Sequence, residues 1–228
     1  MAFTLENIVP WGRSYEEYVS MFSLTPNCLD KKILGCGDGP ASFNAHMNRS
    51  GRPTISIDPL YRFSAEEIEA RIEETCEVVM AQLEQNRNSF KWTTIQSPAA
   101  LKKIRMASMR SFLADFPRGK TEGRYLDGEL PNLPFEDNRF DLAVCSHLLF
   151  LYSEHLSREF HLAAIDELCR VAGEVRIFPL LTMSDQYSPY VDVLQEHLPK
   201  KGHEVSIERV PYEFQRGGNE MMRIRKSD

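Results

Sequence analysis

The chain has 228 residues, of which 42% are hydrophobic and 26% charged, with a formal net charge of -6. That size and apolar content suit one globular domain with its own core, and no apolar run approaches the roughly 18 residues of a membrane span. The acidic balance argues against nucleic acid as the main partner, because such binding leaves a basic footprint.

The first residues, MAFTLENIVPWGRS, lack a basic segment followed by an apolar one, so no signal peptide is expected. Cys28, Cys36, Cys76, Cys145 and Cys169 are scattered and form no C-x-x-C pair. A reduced, cytoplasmic protein without structural zinc is the simplest expectation.

In chain order, Ser14-Tyr-Glu-Glu17 is a capping box that opens a first helix. Lys31–Gly35 is a short strand, followed by a helix that Pro40 opens and that carries Ala41, Phe43 and Met47. Thr54–Asp58 is a second strand. Ser64-Ala-Glu-Glu67 is a second capping box, with Phe63 and Ile68 placed as a hydrophobic staple. The helix that follows has Ile68, Ile72, Cys76, Val79 and Leu83 on one face. Ser97-Pro98 opens another helix. The distance from Asp58 to Arg124 exceeds what a simple crossover needs, so residues about 61–118 are a helical insertion: a lid, a homodimer surface or packing decoration.

Arg124–Asp127, Phe140–Ser146 and Glu174–Leu181 are the next strands, and Pro189 to about Leu198 is a helix. Strands alternating with helices predict a parallel sheet in an α/β fold with helices on both faces. The stretches Glu204–Phe214 and Glu220–Arg225 flank Arg216-Gly217-Gly218-Asn219 and read as an antiparallel C-terminal hairpin.

The stretch KILGCGDGP, residues 32–40, runs a strand into G-x-G-x-G and then a helix. Such a turn brings bare main chain close to a ligand, and the N–H groups at the helix start favour an anion. A dinucleotide fold wants its third glycine one position later, and a nucleotide-triphosphate loop wants G-K-[ST]; neither is present. Asp58 ends the second strand, 23 positions after Gly35, where a carboxylate can accept both hydroxyls of a ribose. A tight turn and an acidic helix cap remain the plain structural alternatives for these two features.

Taken together, KILGCGDGP, ISIDPLY, LPNLPFEDNRFDLAVCSHLLFLY and ELCRVAGEVRIFPLL resemble the class I S-adenosylmethionine-dependent methyltransferases, from about Ile33 to the end except for the insertion. More narrowly, the chain looks like a group of bacterial methyltransferase-like proteins. The resemblance implies a single Rossmann-like domain over residues 1–228, with a seven-stranded sheet whose last strand is antiparallel. It implies S-adenosylmethionine as cofactor, with Gly35, Cys36, Gly37, Asp38 and Gly39 along its methionine and ribose. Asp58 and Pro59 then lie at the sugar, Glu129 and Leu130 at the adenine, and Cys145 and Ser146 beside the sulfonium. The family commonly has an acidic residue two positions before the first glycine. Here that position is Ile33, and Asp38 is the candidate substitute.

Methyl transfer from an activated sulfonium needs mainly positioning, and a base only for acceptors that must lose a proton. His147 is the candidate base, with a structural, hydrogen-bonded histidine as the alternative. Tyr15, Tyr18 and Tyr152 are substrate-side candidates, as are Trp11 and Arg13, although helical spacing equally predicts core packing for the first two. His155, His161 and His197 have no ligand constellation, so no metal is expected. The leading reading is a methyltransferase acting on a small-molecule acceptor, with no nucleic-acid or membrane partner. The alternative is a non-catalytic module that binds S-adenosylmethionine or S-adenosylhomocysteine and contacts a protein partner. An oxidoreductase is disfavoured by the glycine spacing.

Overall fold

A computed structural model describes residues 9–52 and 54–227. In chain order it contains α1 (Tyr15–Met21), α2 (Pro26–Leu29), β1 (Ile33–Cys36), α3 (Phe43–Arg49) and β2 (Thr54–Ile57). The insertion follows as α4 (Ala65–Gln85) and α5 (Pro98–Thr121). The rest is β3 (Tyr125–Leu126), β4 (Phe140–Ser146), α6 (Arg158–Val171), β5 (Ala172–Phe178), α7 (Tyr190–His197), β6 (His203–Arg209) and β7 (Glu220–Lys226).

The seven strands form one sheet in the order β3-β2-β1-β4-β5-β7-β6. The first five are parallel, and β7 pairs antiparallel with both β5 and β6. Successive side chains of a strand point to opposite faces, and the core divides accordingly. Ile33, Leu142 and Val144 pack with Tyr18, Phe22 and Phe43 of α1 and α3. Leu34, Ala143 and Cys145 face the other way, against Ile165, Leu168 and Leu194 of α6 and α7. Strand β1 is flanked by β2 on one side and β4 on the other, so the order of strands across the sheet reverses there. The carboxyl ends of the strands beside such a switch point leave a crevice.

Both capping boxes form. The Ser14 and Ser64 side chains accept from Glu17 and Glu67 N–H, and the two glutamates return the bond to the cap backbone. Ser97 caps α5, with Pro98 at its first position. Helix α4 buries Ile68, Ile72, Cys76, Val79 and Leu83, each contributing roughly 1.5–3 kcal/mol if fully removed from water.

Three expectations change. Helix α3 begins at Phe43, so Pro40 lies in the loop before it and not in its first turn. Strand β6 stops at Arg209, because Pro211 has no N–H to continue a ladder. Residues 210–219 then leave the sheet, closed at their base by Val210 N–H donating to the Asn219 carbonyl. Helix α6, capped by Ser157, is an element the sequence reading passed over.

Candidate functional site

The carboxyl ends of β1, β2 and β4 open into a cavity of about 490 Å³. Its first half is built by the loop after β1. Gly37 (φ +66°) and Gly39 (φ +52°) adopt left-handed backbone that other residues rarely tolerate. Gly37 N–H donates to the Ile57 carbonyl, 2.9 Å, which pins the loop to β2. Gly39 N–H donates to Asp58 Oδ2 and Leu60 N–H to Asp58 Oδ1, both at 2.8 Å. The Tyr61 hydroxyl donates to the Gly39 carbonyl, 2.8 Å. Loop and carboxylate therefore hold each other. A carboxylate offers about four lone-pair directions, so each Asp58 oxygen keeps one for a ligand hydroxyl. Burial pushes the Asp58 carboxyl up from its ordinary value, and the Leu60 and Gly39 N–H groups oppose that.

Asp38 is buried and lines the same space. Its carboxyl accepts from the Tyr18 hydroxyl (2.8 Å) and the Ser56 hydroxyl (2.7 Å). Burial pushes it up to about 7, against the pull of the Ser56 and Tyr18 hydrogen bonds. Gly35 makes this possible from outside the cavity: a Cβ there would lie 1.8 Å from Asp38 Oδ2. Ile33 is in the apolar core beneath α1 and α3. The loop thus brings the Asp38 carboxyl to the crevice, whereas Ile33 contributes only to the core.

At the end of β4, Ser146 and His147 line the cavity, whereas Cys145 does not. Alternation along the strand turns Cys145 into the α6 face of the core, where burial pushes its thiol up to about 12. His147 has φ +53° and its N–H donates to the Phe178 carbonyl, 2.7 Å. Its Nδ1 lies 2.8 Å from Ser146 Oγ. Burial, then Arg13 and Arg105, depress its pKa well below the ordinary value. The imidazole is neutral at pH 7 and a weak proton acceptor, which suits a hydrogen-bonding group better than a general base.

The remaining candidates divide in the same way. Cys36, Pro59, Glu129, Leu130, Tyr18 and Tyr152 line the cavity. Tyr15 lies outside it, stacked on His46 with ring centroids 3.6 Å apart. Among the described residues no group of three or more His, Cys, Asp or Glu side chains is placed to hold a metal ion.

The second half of the cavity involves the insertion, for which a lid was one of the three readings, and Trp11, a substrate-side candidate. Trp11, Val79, Leu83, Phe90, Leu101 and Phe214 form apolar walls. The insertion therefore faces the cavity, and Val78 is its one exposed large apolar side chain among the described residues. The excursion after β6 closes over it: Lys91 N–H donates to the Phe214 carbonyl (2.7 Å) and Arg216 N–H to the Ser89 carbonyl (2.9 Å). Phe90 and Phe214 stack, with centroids 4.9 Å apart.

Beneath these walls lies a buried charge cluster. Glu17 pairs with Arg105 and accepts from Ser14 N–H (2.9 Å) and the Tyr212 hydroxyl (2.8 Å). Arg13 and Arg105 both reach the cavity. Glu17 had been read only as part of a helix cap. Its partners Arg105 and Tyr212 lie 88 and 195 residues away, and no local pattern signals them.

No protein-family model matches the chain. The uncharacterised protein MJ0045 of the archaeon Methanocaldococcus jannaschii is 33% identical over 223 residues, covering 97% of this chain and 98% of that protein. Among solved structures, magnesium protoporphyrin IX methyltransferase (ChlM) from Synechocystis with bound S-adenosylmethionine superposes with a TM-score of 0.50. It is 11% identical, over 93% of this chain and 78% of that one. The same enzyme with S-adenosylhomocysteine gives 0.51 at 10% identity, over 93% and 82%. At such identities the likeness is one of fold, and the strand order, the antiparallel end of the sheet and the glycine loop at the switch point all agree with it. The chain belongs to the family of the M. jannaschii protein, and its fold is that of the class I S-adenosylmethionine-dependent methyltransferases.

Proposed function

We propose that the chain binds S-adenosylmethionine at the ends of β1, β2 and β4 and directs its methyl group to a small-molecule acceptor in the adjoining chamber. The observation that carries this reading is the Asp58 carboxylate, fixed by Gly39 and Leu60 N–H with one acceptor position left on each oxygen. A sugar diol matches that pair of positions. The space beside Gly39 supports it, since a Cβ there would meet nothing within 4 Å. Glu129 and Leu130, at the cavity edge, are the candidates for the adenine. Asp38 is the candidate for the ammonium of the methionine tail, and binding a cation there favours its ionised form.

When bound, the cofactor supplies a methyl group on a positively charged sulfur, so an attacking lone pair displaces a neutral thioether. The chain's own task is to hold and orient the acceptor and to exclude water. Its chamber walls serve that task. Of the described groups beside the chamber, His147 is held neutral, burial raises the Tyr18 and Tyr152 phenols, and the Asp38 carboxyl is engaged by Tyr18 and Ser56, so none of these four stands free to take a proton. The acceptor atom must therefore carry an available lone pair at neutral pH.

The same lack of a base favours a second reading, a binding module without turnover. Calorimetry and thermal shift with S-adenosylmethionine, S-adenosylhomocysteine and NAD test the ligand. Binding of the first two and not the third is expected, with Asp58→Ala losing most of it. Failure of pure, folded protein to bind either compound sinks both readings. Release of S-adenosylhomocysteine over an acceptor panel separates enzyme from binder.

A further inference from the structure

We infer that the acceptor is an acidic small molecule with an apolar body, and that the Arg13 guanidinium holds its carboxylate. The inference rests on the proposed function and specifies its acceptor. Three observations lead to it.

The first is an imbalance of charge. In the cluster beneath the chamber walls two guanidinium groups, Arg13 and Arg105, share one carboxylate, Glu17. Glu17 already accepts from Arg105, the Tyr212 hydroxyl and Ser14 N–H. Arg13 is left donating to the Trp11 carbonyl, and its Nε is buried with no partner among the described residues. Arg105 Nε is in the same condition. Burial and the neighbouring Arg105 lower the Arg13 pKa to about 10, so the group stays charged at pH 7. Arg13 is half-buried and feels Glu17 only as a carboxylate already paired with Arg105; an entering anion gives its unbonded Nε an acceptor.

The second is fixed aim. The Arg13 carbonyl accepts from Ser42 N–H (3.1 Å) and from the Ser108 hydroxyl (2.7 Å). The preceding Gly12 packs so tightly that a Cβ would lie 2.1 Å from the Pro40 carbonyl oxygen. The backbone that carries the guanidinium is therefore clamped between the glycine loop and α5. A planar fork held in one orientation suits a carboxylate, which it binds through two parallel hydrogen bonds.

The third is location. Arg13 lines the cavity together with Trp11, Tyr152 and Tyr212, and its charge is felt at His147, Tyr152, Tyr212, Tyr18 and Glu17. Arg13 thus belongs to the chamber side of the cavity, below the apolar walls of Trp11, Val79, Leu83, Leu101 and Phe214. An anion seated there places its apolar part against those walls.

The test uses the full chain saturated with S-adenosylhomocysteine. Thermal shift and calorimetry compare matched acids and amides: phenylacetate with phenylacetamide, indole-3-acetate with indole-3-acetamide, and hexanoate with hexanamide. Acids are expected to raise the melting midpoint above that of the S-adenosylhomocysteine complex, and amides are not. Arg13→Met should weaken acid binding at least tenfold, with Arg13→Lys intermediate. Affinities for S-adenosylhomocysteine and for 5'-methylthioadenosine, which lacks the amino-acid tail, should both stay as in the parent. Acids binding no better than amides, or no acid in the series binding, overturns the inference. So does a loss of S-adenosylhomocysteine affinity in Arg13→Met with methylthioadenosine unchanged, which would assign Arg13 to the cofactor's own carboxylate. If the unaltered protein binds no S-adenosylhomocysteine at all, the functional reading itself has failed, and that result is recorded before any acid is added.

Discussion

The two halves of the cavity differ in how completely their polar groups are satisfied. Around Asp58 the partners are close in sequence, and each hydrogen bond ties a loop to its neighbouring strand. Around Glu17 and Arg105 the partners come from three distant segments, and two guanidinium nitrogens remain without acceptors among the described residues. The first half is finished before a ligand arrives and offers only spare lone pairs. The second half keeps two guanidinium nitrogens that no described side chain bonds. Buried donors without partners are uncommon, and their concentration here marks the part of the molecule whose chemistry is completed from outside.

The comparison breaks most sharply at Glu17. Glu17→Ala leaves both guanidinium groups with no carboxylate and should cost about 3–5 kcal/mol of stability, read as a lower urea midpoint. A loss below about 1 kcal/mol would mean that the cluster is hydrated rather than buried. Next comes Asp58→Ala in the other half. Two hydrogen bonds to a charged acceptor at about 1.5 kcal/mol each give roughly a 100-fold loss of S-adenosylhomocysteine affinity, with stability changed less than in the Glu17 variant.

Asp38 predicts a smaller, pH-dependent effect. Its carboxyl has an ordinary value of 3.8 and is pushed up to about 7 by burial. Below 3.8 it is protonated in both folded and unfolded chains, and above about 7 it is ionised in both. In between, the folded chain keeps a proton that the unfolded chain releases, so this group's contribution to stability falls as pH rises through that window. Asp38→Asn should remove that slope. If the ionised form receives the ammonium of the methionine tail, S-adenosylhomocysteine should bind about tenfold more tightly at pH 8 than at pH 6. Methylthioadenosine should show no such change. The smallest effect is at Ser14, whose side chain caps α1 while its N–H holds Glu17. Ser14→Ala should cost about 1 kcal/mol, with no change in binding at Asp58.

What could be read from the sequence follows the same division. Strand β4 was delimited correctly, and both capping boxes formed, because their signals lie within a few residues of one another. The glycine loop and Asp58 were legible for the same reason, since turn geometry and strand ends are local. Helix α6 was overlooked although Ser157 stands at its start and Ile165, Leu168 and Cys169 recur on one face; the signal was present and outweighed by the strand motif before it. The roles of Gly35 and Asp38 needed a side chain folded back three residues, which strand alternation does not suggest. Arg105 and Tyr212 could not be tied to Glu17 from one sequence, because nothing short of tertiary folding brings them together.

The roof over the second half is a seam between residues 89–91 and 214–216, joined by main-chain bonds and the stacked rings of Phe90 and Phe214. Neither segment is among the hydrogen-bond partners of the Asp58 carboxylate. On the proposed function, replacements at those rings would re-cut the interior for a molecule of another shape and leave Asp58 with its Gly39 and Leu60 partners unchanged.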